Sequence, residues 1–252
     1  MKKVISIALA LVLTAVLLPI GVPQNANASA PNLNSASTWA REGIIEAVAK
    51  GFVPAEIQGN YTNVITRAEF CRMAIRWVEY AAGTNINAVL AAKGLSRDQN
   101  AFSDTRDSDI LAAYALGITS GAGGGRFAPN GQFNREQAAT MIMNTCSAIG
   151  IDVSNPPASD FTDMNTAASW AVDGINFVRA NGIMSGSGNR FAPKATYTRE
   201  QSITTFNNID LVRYGIFDGD LPSEGSSGYD EYGYFDDNID YEYYGDDPSG
   251  IV

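Results

Sequence analysis

The chain has 252 residues, with 17 basic and 27 acidic side chains, a formal net charge of −10 and no histidine. The lack of histidine removes the commonest general base, the serine–histidine and cysteine–histidine nucleophile pairs, and the usual mixed zinc sites. The composition therefore disfavours an enzyme, and the sequence predicts no cofactor and no metal site.

The N-terminus has the pattern of a secretory signal peptide. Lys2 and Lys3 precede an apolar run at 4–20, and Ala26-Asn27-Ala28 supplies small residues at the positions that a signal peptidase reads. The apolar run is too short for a good membrane-spanning helix. We therefore predict a signal peptide over 1–28, a mature protein outside the cell, and no membrane span.

Two later stretches share a motif, with an offset of 64 residues between Arg126 and Arg190. The matched residues are Phe102-Ser103-Asp104 with Phe161-Thr162-Asp163, Gly117-Ile118 with Gly182-Ile183, Arg126-Phe127-Ala128-Pro129 with Arg190-Phe191-Ala192-Pro193, and Asn134-Arg135-Glu136-Gln137 with Thr198-Arg199-Glu200-Gln201. A more diverged copy runs from Thr38-Trp39-Ala40 to Thr66-Arg67-Ala68-Glu69. Similarity at a fixed spacing predicts three structural units that pack together.

Each unit has the pattern of a helix, a loop and a second helix. In the last unit, apolar residues at helical spacing begin at Trp170, and Asn181-Gly182 is typical of a helix end. The second helix of each unit begins with a capping box, in which a polar cap residue stands three residues before an acid or amide. The three pairs are Thr66 with Glu69, Asn134 with Gln137, and Thr198 with Gln201.

The order Phe-x-Asp, Trp-Ala, Gly-Ile, Phe-x-Pro and Thr-Arg-(Ala/Glu)-(Glu/Gln) resembles the S-layer homology family. The resemblance implies an all-α fold in which three repeats surround a central three-helix bundle with pseudo-threefold symmetry. We place the repeats at 37–82 (diverged), 99–150 and 158–214. The resemblance also implies non-covalent anchoring to the cell wall or S-layer surface, through an anionic secondary wall polysaccharide that is often pyruvylated.

Each capping box is followed by an arginine at the first helical position: Arg67, Arg135 and Arg199. A cation at a helix N-terminus opposes the helix dipole by about 0.3–1 kcal/mol, so three repetitions suggest another use. A guanidinium beside free helix N–H groups can bind a carboxylate or phosphate. The alternative is a structural arginine paired with an acid of a neighbouring repeat, and the family resemblance favours the ligand.

Further candidates for polymer binding lie in the first helices and the loops. Trp39 and Trp170 either stack on sugar rings or belong to the core. Asp104 and Asp163 either cap the first helices, which we favour, or accept sugar hydroxyls. Small residues in the loops allow close approach of a ligand, although ordinary turns also explain them. These loop residues are Ser120, Gly121, Ser185 and Gly186.

The two cysteines invite a disulfide in an exported protein. Counted from the arginine of each second helix, Cys71 and Cys146 lie 4 and 11 residues along. Equivalent helices would then separate them by about 10 Å along the axis, which is too far for a bridge. We predict two buried, unpaired thiols.

The last stretch, at 215–252, is acidic and tyrosine-rich. Eleven acids lie between Asp218 and Asp247, and no basic residue follows Arg213. Without this tail and the signal peptide the chain is nearly neutral, so nucleic acid is not an expected partner. The tail is predicted to be disordered, and we favour a solubilising or spacer role over the alternative, recruitment of an unidentified partner.

Two other functions compete with wall anchoring. The first is a surface protein-interaction or assembly protein that acts through degenerate repeats and the acidic tail. The second, which we disfavour, is a glycan hydrolase that uses carboxylates such as Asp163 and Glu200.

Overall fold

The computed structural model describes residues 31–213, and of residues 211–213 the backbone alone. This part of the chain is α-helical, as the sequence predicts, with isolated β-bridges but no strands. Its helices are α1 (Arg41–Lys50), α2 (Arg67–Ala82), α3 (Ile86–Ala92), α4 (Ser108–Ala115), α5 (Arg135–Ala148), α6 (Val172–Ala180) and α7 (Arg199–Arg213). The predicted signal peptide and acidic tail lie outside the described residues.

The three predicted capping boxes are confirmed, and they determine where α2, α5 and α7 begin. At α2, the Thr66 side chain accepts from the backbone N–H of Glu69, whose carboxylate accepts in return from the N–H of Thr66. Asn134 with Gln137, and Thr198 with Gln201, form the same reciprocal pair. Each box satisfies two backbone donors that a helix or its cap would otherwise leave unpaired.

A closed triangle of backbone hydrogen bonds joins the residues that precede these three caps. The N–H of Ile65 donates to Tyr197 (2.9 Å), that of Tyr197 to Phe133 (3.0 Å), and that of Phe133 to Ile65 (3.2 Å). All three side chains are buried. The starts of α2, α5 and α7 are therefore held together at one end of the bundle.

The first helix of each unit packs on the long helix of another unit, in a cyclic order: α1 lies on α7, α4 on α2, and α6 on α5. Two of these contacts are close enough to require glycine. A Cβ added to Gly43 would lie 2.8 Å from Cγ2 of Thr204, and one added to Gly174 would lie 2.8 Å from Cα of Thr140. Both distances are well inside normal carbon–carbon contact, so larger side chains there would push the helices apart.

Aromatic rings fill the core between the long helices. The ring of Phe70 on α2 lies 4.5 Å from that of Phe133 and 5.4 Å from that of Phe206 on α7, measured between centroids. The Trp77 ring is 6.2 Å from that of Phe206. Because every one of these side chains is buried, the rings connect elements that are far apart in sequence.

The sequence prediction of two unpaired, buried thiols is confirmed for Cys71 and Cys146. Burial raises the pKa of both, and for Cys146 the pKa rises to about 12. Since the thiolate is the reactive form, we expect neither thiol of the native protein to react with a disulfide reagent at pH 8. Unfolding in denaturant should expose two thiols per chain, and rapid labelling of the native protein would contradict this packing.

Candidate functional site

Three equivalent junctions form where the start of a long helix meets the loop of another unit. We call them the α2 junction (the start of α2 with loop 127–131), the α5 junction (the start of α5 with loop 191–195) and the α7 junction (the start of α7 with loop 59–63). In each, the first two helical N–H groups donate to loop carbonyls over 2.9–3.0 Å. The acceptors are Gly131 and Pro129, then Ala195 and Pro193, then Asn63 and Tyr61. These N–H groups are therefore used by the protein and do not form an open anion site.

At the α2 junction, Arg67 is 8% exposed. Its Nε donates to the carbonyl of Phe127 at 2.8 Å, and its guanidinium lies 5.0 Å from the centre of the Phe127 ring. Its two terminal nitrogens donate no hydrogen bond within residues 31–213, yet neither is fully sealed from solvent. Burial lowers the pKa of Arg67, an effect that Cys71 and Asp104 partly offset. This largely buried cation forms no ion pair with any described carboxylate.

Arg135 adopts a related position at the α5 junction. Its Nε donates to the carbonyl of Phe191 at 2.7 Å, and one terminal nitrogen donates to the carbonyl of Ser185 at 2.6 Å. The guanidinium lies 4.7 Å from the centre of the Phe191 ring. The stacked arginine and Phe-x-Pro loop therefore recur at the α2 and α5 junctions.

Arg199 differs from the other two arginines, because its guanidinium forms an ion pair with Glu69 of α2. One terminal nitrogen lies 2.5 Å from Oε1 of Glu69, and the other donates to the carbonyl of Gly59 at 2.9 Å. Burial alone would raise the pKa of Glu69, but the hydrogen bonds from Thr66 and Arg199 lower it overall. The contacts of Arg199 match the alternative in which the arginine pairs with an acid of a neighbouring unit.

Asp104 and Asp163 do not cap the first helices, so that part of the sequence interpretation is wrong. Asp104 accepts from the backbone N–H groups of Phe127 (2.8 Å) and Ala128 (2.9 Å). Asp163 accepts in the same way from Phe191 and Ala192, at 2.9 Å each. Asp107 supplies the cap of α4 instead. The repeated aspartates therefore hold the Phe-x-Pro loops.

These carboxylates stabilise an unusual backbone conformation. Ala128 and Ala192 have φ values of 58° and 53°, in the left-handed region that residues with a Cβ rarely occupy. A carboxylate that accepts two successive N–H groups compensates for this strain. For Asp163, burial alone would raise the pKa, but the Phe191 and Ala192 N–H groups and the nearby Arg190 charge lower it.

The loop glycines pack directly against the phenylalanine of the Phe-x-Asp motif. A Cβ at Gly121, where φ is 88°, would lie 2.6 Å from Cε1 of Phe102. A Cβ at Gly186 would lie 2.5 Å from Cε1 of Phe161. Packing and turn geometry thus account for both glycines. Ser120 is exposed, and Ser185 is the carbonyl acceptor of Arg135.

The two tryptophans proposed to bind sugar, Trp39 and Trp170, lie in single 3-10 turns that precede the first helices, rather than in the helices themselves. Trp39 belongs to Thr38–Ala40 and packs partly buried against the core. Trp170 belongs to Ser169–Ala171 and is 56% exposed. An indole with this exposure is not a core residue, and its ring face is accessible to a flat apolar surface.

The carboxylates proposed for hydrolysis are already engaged in structural contacts. Glu200 is 4% exposed and accepts from both the backbone N–H and the hydroxyl of Ser37. Its counterpart Glu136 accepts from the backbone of Ala168 and pairs with Lys194. Glu200 and Glu136 therefore join neighbouring units, whereas Asp163 holds the loop of its own unit.

Two exposed arginines beside the Phe-x-Pro loops, Arg126 and Arg190, were not predicted from the sequence as site residues. The side chains of Arg126 and Arg190 are 68% and 67% exposed and lie 3.5 and 3.6 Å from Asp104 and Asp163. Asp104 and Arg126 line an open cavity of about 340 Å³ with residues 128–131 of the α2 junction. Their recurrence with an offset of 64 residues was the signal that could have identified them.

Comparison with known protein families agrees with this repeated geometry. Residues 98–139 and 160–201 match the S-layer homology domain. The two S-layer homology segments contain the Phe-x-Asp motif, the Phe-x-Pro loop and the stacked or paired arginine described above. The match does not extend to the first predicted unit.

The chain is similar to two surface-layer proteins and to an endoglucanase. The chain is 27% identical over 201 residues to the Surface-layer 125 kDa protein of Lysinibacillus sphaericus, covering 76% of this chain and 16% of the relative. It is 29% identical to an endoglucanase of Bacillus sp. (strain KSM-635), covering 59% and 15%. It is 27% identical to S-layer protein sap of Bacillus anthracis, covering 66% and 19%. The chain thus spans less than one fifth of each of these proteins.

Within residues 31–213, no helix is both long and apolar enough to cross a membrane. The same range contains no group of three or more cysteine, aspartate or glutamate side chains placed to hold a metal ion.

Proposed function

We propose that this exported chain anchors itself non-covalently to the bacterial cell wall by binding an anionic secondary wall polysaccharide, without a catalytic role. The two S-layer homology segments and the surface-layer relatives support a location at the cell surface. The ligand that we propose carries carboxylates, as a pyruvylated sugar does. A carboxylate can accept two parallel hydrogen bonds from the N–H groups of a guanidinium.

We also propose that residues 37–82 form a third, diverged repeat, followed by repeats at 99–150 and 158–214 with pseudo-threefold symmetry. The hydrogen-bond triangle of Ile65, Phe133 and Tyr197 supports this arrangement, because each unit contributes one equivalent donor and acceptor. The cyclic packing of the first helices on the long helices also supports it.

The observation that carries the proposed binding function is the burial of the Arg67 charge without an ion pair to a described acid. A buried cation is normally compensated by an acid, but the described residues give Arg67 a carbonyl at its Nε and the face of the Phe127 ring, and no ion pair. Two terminal nitrogens are left for an incoming carboxylate. Arg126 adds a second, exposed cation at the same junction.

Sugar rings would add apolar contacts to this ionic interaction. Trp170 is exposed at the unit that also supplies loop 191–195 of the α5 junction. An indole face packs well against the C–H face of a pyranose, in the same way that it packs against other apolar surfaces. We therefore assign Trp170 to sugar stacking and Arg135 to the adjacent polymer contact.

The test is a titration of the full chain with purified, soluble wall polymer before and after mild acid removal of its pyruvate groups. We expect binding to the intact polymer, and at least tenfold weaker binding after the carboxylates are removed. Equal binding to both forms would overturn the anionic basis of recognition. Binding that depends on the acidic tail instead would favour the assembly function.

A further inference from the structure

The three capping boxes differ at one residue that contacts another unit. The third helical position is Glu69 in α2 but Gln137 in α5 and Gln201 in α7. All three side chains accept a hydrogen bond from the backbone of their cap residue, over 2.9, 3.1 and 3.0 Å. The negative charge of Glu69 is therefore unnecessary for capping, which a glutamine performs equally well.

The second carboxylate oxygen of Glu69 accepts a hydrogen bond from the guanidinium of Arg199. The ion pair is 2.5 Å long, and the two side chains are 15% and 13% exposed for Arg199 and Glu69, respectively. Since the other terminal nitrogen of Arg199 donates to Gly59, both ends of this guanidinium fork are used by the protein. A ligand carboxylate would have to displace Glu69 and would be repelled by its charge.

Local charge also distinguishes the α7 junction from the α2 junction. Beside Arg199, the α7 junction contains Glu69 and the adjacent Glu200. At the α2 junction the residue that follows Arg67 is Ala68, and Arg126 accompanies Asp104. Two acids therefore accompany one arginine at the α7 junction, whereas one acid accompanies two arginines at the α2 junction.

From these contacts we infer that Glu69 is a specificity-determining residue that closes the α7 junction to anionic polymer and restricts binding to the other two junctions. This inference rests on the proposed function, because it assigns that function to particular junctions. Removing the charge while keeping the cap should open a further site at Arg199.

The experiment compares Glu69→Gln with wild type by isothermal titration of the full chain with short fragments of purified wall polymer. Glutamine retains an oxygen that can accept from Thr66, as Gln137 and Gln201 do at their caps. We expect the variant to bind one additional fragment per chain, or to bind a longer polymer at least threefold more tightly through multivalency.

Gln137→Glu is the mirror variant, because Gln137 holds in α5 the position that Glu69 holds in α2. Arg67 contacts the loop that precedes α5, just as Arg199 contacts the loop that precedes α2. A carboxylate at position 137 should therefore pair with Arg67 and weaken polymer binding by about tenfold. This variant keeps the inference testable if Glu69→Gln folds poorly.

The outcomes separate the inference from the function on which it rests. If wild type binds the polymer but folded Glu69→Gln shows the same stoichiometry and affinity, the inference is overturned while polymer binding stands. Unchanged binding by folded Gln137→Glu would overturn it in the same way. If wild type binds no polymer at all, both claims fail.

Discussion

Replacing Arg67 by methionine is expected to reduce the affinity for purified wall polymer by about 10- to 100-fold. The variant would lose charge-assisted hydrogen bonds to a ligand carboxylate, which contribute about 1.5–3 kcal/mol to the free energy of binding. Methionine preserves much of the apolar contact with Phe127. Binding should be measured by titration, with folding checked by circular dichroism.

The stability of the same variant discriminates ligand binding from a structural role. Removing the Arg67 guanidinium loses its hydrogen bond to the Phe127 carbonyl but also relieves the cost of burying a charge without a described ion pair. These effects oppose each other, so the net change in the free energy of unfolding should be no more than about 1–2 kcal/mol. Arg76→Met is the control, since it removes the same charge from the same helix, about 14 Å further along. If Arg67→Met unfolds the protein, or if both variants bind polymer normally, the assignment of Arg67 is wrong.

Replacing Asp163 by alanine is expected to destabilise the protein by about 2–4 kcal/mol, because the buried N–H of Phe191 and the partly buried N–H of Ala192 lose a charged acceptor. The loss also removes the compensation for the left-handed Ala192 and loosens the carbonyl contacts that loop 191–195 makes with α5. Chemical denaturation at pH 7 measures the change. Asp160→Ala is the control, because that carboxylate is 62% exposed and should matter by less than about 1 kcal/mol.

The contribution of Asp163 to the free energy of unfolding depends on pH. The folded-state pKa of Asp163 lies below its ordinary value of 3.8, so its ionised form stabilises the fold above about pH 4. That contribution is lost as the pH falls through the folded-state pKa. The difference in stability between wild type and Asp163→Ala should therefore shrink as the pH is lowered from 7 to 3. A difference that stays constant would exclude the carboxylate as its cause.

Local patterns made the helix starts predictable from the sequence. A capping box involves residues three apart, so Thr66 with Glu69 and its two counterparts could be recognised without knowing the fold. The unpaired cysteines were predictable for a similar reason, because their register along equivalent helices already excluded a bridge. The helix α3 has no counterpart in the repeat pattern, and repeat comparison did not reveal it.

Contacts between residues far apart in the sequence were the part that sequence alone could not supply. Asp104 and Asp163 stand near the first helices, and capping was the simplest local role, but their acceptor contacts are with loops more than twenty residues away. Arg67 and Arg199 occupy equivalent sequence positions, yet one has unused donors and the other is paired. That difference depends on Glu69, which lies 130 residues from Arg199.

The central claim is tested most directly by sedimenting the full mature chain with purified cell wall, before and after extraction of the secondary polymer. We expect the protein to pellet with intact wall, to remain in solution with extracted wall, and to be released from intact wall by added soluble polymer. Failure of the folded protein to pellet with intact wall, or equal pelleting with extracted wall, would contradict anchoring through the polymer.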